Sequence, residues 1–194
     1  MSAPYGKALE AIDAAHAEDP KKITKDGQEI PYELHYARKM SHYLDLRQPN
    51  ASPVLRLAIR AQHLRRWEVP RDSYPLGKVG YYSWRTFLKK RQADIAQQIC
   101  IDAGMSKEEA EGVAALIRKE DLKSNDETMI LEDVACLVFL DDQFDDFKDE
   151  FDQDKIIAIV RKTWVKMTEK GHELALQIPM TEASKGIIGK ALQS

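Results

Sequence analysis

The 194-residue chain is 43% apolar, enough for one well-packed domain spanning 1–194 and too short for two of ordinary size. Its 29 Lys and Arg against 32 Asp and Glu give a net charge of -3, which excludes a global attraction to nucleic acid or to an anionic membrane and makes any basic feature local. No apolar run approaches the ~18 residues of a membrane span and no signal-peptide core opens the chain, so a cytoplasmic protein with no membrane partner is expected, with Cys100 and Cys136 as reduced core residues.

In chain order the pattern is helix after helix, because Gly and Pro are sparse and fall between segments whose apolar residues recur at three and four. The expectation is therefore an all-α fold with no strand. A first helix is predicted over about 4–17, ended by Asp19-Pro20, and 21–31 reads as a polar loop. A second runs over about 31–47 with Ala37, Met40 and Leu44 inward, and a third over about 53–67 is apolar nearly all round. Residues 68–82 read as an irregular loop, too long for a mere turn. Ser83 is placed to cap a fourth helix to about 103, closed by Gly104, and Ser106 with Glu109 makes a capping box for a fifth that ends near Lys119. A long apolar helix begins near 126, and a last amphipathic one covers 154–177. The core is expected within about 31–178, with 179–194 as a peripheral tail. The run Asp141 to Asp154 lacks the glycine and alternate ligands of a calcium loop and reads as a solvated linker with helix caps.

Polar groups in apolar settings mark the candidate chemistry. The third helix would carry Arg56, Arg60, His63 and Trp67 on one stripe, and burying guanidinium groups is costly unless an anion is supplied by the protein or by a ligand. An arginine-rich edge paired internally with carboxylates explains the same stripe. Asp133 has Met129, Ile130, Cys136, Leu137 and Leu140 around it on its helix, a setting in which a carboxylate needs a cation, a metal or a proton. A purely structural pairing with one buried arginine meets that need equally well, and Glu132 beside it would serve another base. His35 forms a polar stripe with Arg38 and His42. Basic residues suited to phosphate are Arg65, Arg66 and Arg71, then Arg85 and Lys89 with Trp84 as a stacking face, then Lys119 and Lys123.

His35, His63 and Asp133 stand on three separate predicted helices in the order His, His, late Asp. The segment Leu-Arg-Leu-Ala-Ile-Arg-Ala-Gln-His-Leu ending at Leu64 resembles the helix that ends in the His-Asp pair of HD-type metal phosphohydrolases, and Ile-Leu-Glu-Asp-Val-Ala-Cys-Leu resembles the helix with their final Asp. Leu64 replaces the paired Asp, so the resemblance implies at most one divalent ion (Mn, Zn, Fe or Mg) on His35, His63 and Asp133. Nearly the whole chain is also similar to an uncharacterised family called domain of unknown function 4202, on Ala-Gln-His-Leu-Arg-Arg-Trp-Glu-Val-Pro-Arg at 61–71, Gly-Tyr-Tyr-Ser-Trp-Arg at 80–85, residues 131–140 and Arg-Lys-Thr-Trp-Val-Lys-Met at 161–167. Together these imply an HD-like bundle acting as a phosphohydrolase or phosphodiesterase on a nucleotide-like or other small phosphorylated substrate. His63, Asp133 and Lys119 would be catalytic, and Arg65, Arg66, Arg71, Trp84, Arg85, Lys89 and Lys123 would bind the substrate. The alternative is a non-catalytic module for a phosphate, a nucleotide or an RNA end, and Leu64 favours it.

Overall fold

A computed structural model describes residues 2–25, 27–121 and 124–193. Helices dominate. α1 (Ala3–Ala17) leads into strands β1 (Lys22–Lys25) and β2 (Gln28–Pro31), followed by α2 (Tyr32–Arg47), α3 (Pro53–Arg60) and α4 (Lys78–Asp102). Then come α5 (Lys107–Arg118), α6 (Asp126–Val138), a π-helical stretch over Phe139–Gln143, α7 (Phe144–Phe147), α8 (Gln153–Lys166), α9 (Glu169–Ala175) and α10 (Glu182–Leu192). One apolar cluster runs through them, with Leu55, Leu57, Ile59, Leu64, Leu131 and Leu137 fully buried. It also takes in Ala8 and Ile12 of α1 and Ile188 and Ala191 of α10, so segments outside 31–178 supply core residues.

Four boundaries depart from the sequence expectation, each for a local reason. The polar loop at 21–31 is an antiparallel hairpin that pairs Lys22 with Pro31 and Lys25 with Gln28. Its turn carries Gly27 at φ +76, and Asp26-Gly27 is a hairpin signal, so the expectation of no strand is corrected here. The third helix stops at Arg60 rather than 67, because the His16 ring nitrogen meets the Arg60 carbonyl at 2.9 Å and Asp13 grips the Arg60 guanidinium at 2.6 and 2.8 Å.

The fourth helix starts at Lys78, and Ser83 lies inside it instead of capping it. Arg71 fixes the preceding loop by donating to the Tyr74 and Pro75 carbonyls at 3.0 Å. Gly80 then packs so closely on the Pro75 carbonyl that a Cβ there would collide with it. The span 154–177 divides at Met167–Thr168, where Thr168 turns away to hydrogen-bond with Asp133 and caps α9 through the Gly171 amide. The Ser106–Glu109 capping box of α5 forms as the sequence predicts. Asp152 caps α8, while Asp141 and Asp142 belong to the π-helical stretch and pair with Lys39 and His35, so the acidic run is only partly a solvated linker.

Candidate functional site

Between α3 and α4 the chain does not continue as helix. It makes a series of tight turns through Ala61 to Glu68, with His63 at φ +65 and Arg65 at φ +52. Two residues other than glycine in the left-handed region within three positions are held only where surroundings over-determine them. Glu33, at the start of α2, does so. Its two carboxylate oxygens accept the Arg65 and Trp67 backbone N–H groups at 3.0 Å each, and the His16 ring lies at 3.4 Å. Asp19 supports Glu33 in turn by accepting its backbone N–H and that of Lys21, both at 2.9 Å. Sequence reasoning missed both carboxylates. The only available signal was that Asp19-Pro20 and Glu33 flank the start of α2.

The turn aims His63 and Arg66 at a hollow of about 340 Å³ whose walls include Tyr32, Tyr36, Trp67 and Trp84. His63 stacks on Tyr36 with centroids 4.2 Å apart and an 11° interplanar angle. Arg66 lies over the Trp84 ring at 4.8 Å and donates to His63 Nε2 at 2.9 Å, so that nitrogen carries the lone pair. Burial first, and then the nearby Arg66 and Arg85 guanidinium groups, hold the His63 pKa well below its usual value, which leaves the imidazole neutral at pH 7.

On its other side the His63–Arg66 pair lines a second, much smaller recess of about 20 Å³, room for one water-sized group. Arg85 and Lys89 of α4, Lys119 after α5 and Gln92 complete its polar lining. Lys119 sits at φ +59, closing α5 in a left-handed conformation that turns the chain at this wall. It is paired with Glu132, and Lys166 lies 3.6 Å from the same carboxylate. Burial alone would raise the Glu132 pKa, but Lys119, Lys166 and Arg85 outweigh it and hold the group below its usual value.

Among the described residues, no carboxylate forms an ion pair with Arg66, Arg85 or Lys89. Burial and the neighbouring Arg85 depress the Arg66 pKa, and burial with Lys119 and Arg85 depresses that of Lys89. The recess therefore holds crowded positive charge that Glu132, already paired with Lys119, offsets only in part.

Among the described residues, the other sequence candidates are engaged within the protein, although Arg71 and Trp84 line the larger hollow. Arg65 is saturated by Glu18 at 2.7 Å and Glu68 at 3.1 Å. Arg71 is spent on loop carbonyls, though it remains 6.0 Å from the Trp84 ring. Trp84 donates its indole N–H to the Val69 carbonyl, leaving only its face for a ligand. Arg56 and Arg60 are paired internally with Asp45 and Asp13. Lys123 lies outside the described residues.

The three expected metal ligands are not brought together. His35 meets Asp142 at 2.7 Å, and His63 meets Arg66. Asp133, fully buried, accepts from Arg47 Nε at 2.7 Å, from the Thr168 backbone N–H at 2.7 Å and from its hydroxyl at 2.6 Å. Both Asp133 oxygens are thus committed to a cation and two hydrogen bonds, with Gly171 packed against the carboxylate, so this residue does not fit a metal shared with His63. Among the described residues, no three His, Cys, Asp or Glu side chains are grouped to hold an ion. Leu64 is 0% exposed and belongs to the core rather than to either hollow. No helix among the described residues is long and apolar enough to cross a membrane.

No curated protein and no solved structure matches the chain. One family model does match, over residues 6–188, nearly its whole length, on a description that records no activity. The chain belongs to the family described as Domain of unknown function (DUF4202).

Proposed function

We propose that this protein binds a small phosphorylated molecule, with the phosphate held by Arg66, Arg85 and Lys89. The observation that carries the reading is the lack of any carboxylate paired with these three cations where they crowd around a buried recess. Partly desolvated guanidinium groups beside one another repel unless an anion stands between them, and arginine suits the bidentate grip of phosphate oxygens. Lys119 already has Glu132 and adds only a secondary contribution. Arg65 is engaged elsewhere, and Arg71, held by loop carbonyls, lines the larger hollow and not the basic recess. The HD-type lineage enters the same proposal as an ancestry in which the anion pocket was kept while Leu64, in place of the acidic ligand, joined the core.

Hydrolysis of the bound ester is a second reading, favoured by one observation: a neutral imidazole, His63, stands at the junction of the two hollows. An anion that draws Arg66 away would free the Nε2 lone pair to take a proton from an attacking water. No step is routed through a metal, since the donor set does not assemble.

Titration with inorganic phosphate and pyrophosphate in the presence of a chelator, followed by melting temperature, tests the binding reading. Stabilisation of the wild type at millimolar ligand, weakened roughly tenfold or more in Arg66→Ala, is the expected result. No stabilisation of the wild type by either anion would overturn it. Release of phosphate from p-nitrophenyl phosphate by the wild type but not by His63→Asn would support the hydrolytic reading, and no turnover would leave a binding protein.

A further inference from the structure

The unpaired donors of the site say what else the bound molecule carries. Among the described residues, the buried side-chain nitrogens and oxygens without a hydrogen-bond partner are Trp67 Nε1 and Gln92 Nε2. Buried donors are normally satisfied, and one left unpaired is costly. Both fall at this site, in two hollows that share His63 and Arg66: Trp67 lines the larger one and Gln92, only 5% exposed, lines the basic recess.

The larger hollow is a chamber of rings in which several of the polar groups are already occupied. Asp19 and Glu33 accept backbone N–H groups with both of their oxygens, and the Tyr32 hydroxyl accepts from Gln143 at 2.8 Å. The Trp84 indole N–H is spent on Val69. What remains for a ligand is a set of π faces, on Tyr32, Tyr36, Trp67 and Trp84, together with the Lys21 ammonium, the Tyr36 hydroxyl and the unpartnered Trp67 N–H. A bare sugar or polyol would leave the four π faces unused, whereas a flat ring stacks on them and satisfies the indole with a single ring nitrogen or carbonyl. About 340 Å³ lies at the small end of ligand pockets and suits one ring system rather than two.

We infer that the ligand is a phosphate monoester attached to a planar heteroaromatic ring. Its phosphate lies at the mouth of the recess against Arg66, Arg85 and Lys89, with one oxygen entering the recess to accept from the Gln92 amide, and its ring lies in the aromatic chamber and accepts from Trp67 Nε1. The inference rests on the phosphate reading above. It specifies the far end of the molecule. Nucleoside monophosphates and pyridoxal phosphate share this chemistry, and the test separates them.

Melting temperature and calorimetry are measured with inorganic phosphate, ribose 5-phosphate, adenosine 5′-monophosphate and pyridoxal 5′-phosphate. At least one aromatic ester is expected to bind roughly tenfold more tightly than ribose 5-phosphate, and which one does identifies the source. In wild-type protein labelled for NMR, the Trp67 indole N–H resonance, assigned by its loss in Trp67→Phe, should move with that ester and stay in place with ribose 5-phosphate. Trp67→Phe keeps the ring and removes the donor, so it should weaken the aromatic ester about three- to tenfold and leave inorganic phosphate unchanged. If that variant does not fold, the shift of one of the three wild-type indole resonances decides by itself. Equal affinities for ribose 5-phosphate and both aromatic esters, with no indole resonance moving, would overturn this inference and leave the phosphate reading standing. No binding of any probe, inorganic phosphate included, would overturn both.

Discussion

Two polar groups embedded among apolar helices, Asp133 and Arg66, have opposite fates. Asp133 is enclosed by Arg47, Thr168 and Gly171, so that its charge and its lone pairs are answered within the protein. Arg66 has only a neutral imidazole and an indole face for company, with two more cations nearby. The first arrangement is closed and holds α2, α6 and α9 together. The second has no carboxylate paired with it among the described residues. Burial of a charge therefore did not distinguish structure from site in this molecule. The presence or absence of a counter-charge did.

The largest expected effect comes from forcing a carboxylate into the wrong region. Leu64→Asp, the substitution that would restore the HD-type pair, places a charge at a fully buried core position, and it should lower stability by about 4 kcal/mol or more without creating metal affinity. Chemical denaturation and calorimetry with manganese check it. A folded, metal-binding variant would mean that this position faces the cavity after all.

Next in size is the closed cluster itself. Asp133→Ala strands the Arg47 guanidinium, which is 14% exposed, and should cost about 3–4 kcal/mol in denaturant titration while phosphate affinity stays at the wild-type value. Phosphate affinity falling in step with stability would join the two regions into one site and break the comparison.

Arg66→Ala should do the reverse. Loss of a charge-assisted contact is expected to weaken phosphate binding by about 1.5–3 kcal/mol, with stability in the absence of ligand changed by less than about 1 kcal/mol, since no ion pair is broken. A strongly destabilised variant with unaltered binding would assign Arg66 a structural role like that of Arg47.

The smallest effect is one of pH. Above the ordinary imidazole pKa of ~6.5, His63 is neutral in both folded and unfolded chains and contributes no pH dependence. As the pH falls below that value the unfolded chain takes up a proton that the native site refuses, so stability is lost by up to about 1.4 kcal/mol per pH unit until the depressed native pKa is reached. His63→Asn, which tolerates the φ of +65, should flatten this part of a stability–pH curve. Bound phosphate is expected to steepen binding in the opposite sense, because a protonated His63 adds one more cation beside it.

Much of this was legible in the chain, and the reason is local. The helical periodicity, the Ser106–Glu109 capping box, the pairing of Glu132 with a base and the burial of Asp133 all follow from residues within a few turns of one another. The hairpin at 22–31 reads as a polar loop in the sequence, because its short, mostly polar strands carry no apolar alternation, although Asp-Gly is a hairpin signal. Sequence also picked out Arg66, Arg85, Lys89 and Lys119 as phosphate candidates, but it could not separate them from Arg65 and Arg71, which look the same along the chain. That distinction depends on Glu18, Glu68 and a set of loop carbonyls. Likewise the end of the third helix at Arg60 is imposed by His16 and Asp13, and the left-handed turn after it by Glu33, contacts that span 32 residues or more and have no short-range signature. The sequence by itself determined where helices form and which polar groups would need partners. Which partner each one found was settled by tertiary contacts, because charge compensation and donor satisfaction are decided between elements that meet in space, and these left Arg66 without a paired carboxylate and the Trp67 and Gln92 nitrogens without an acceptor among the described residues.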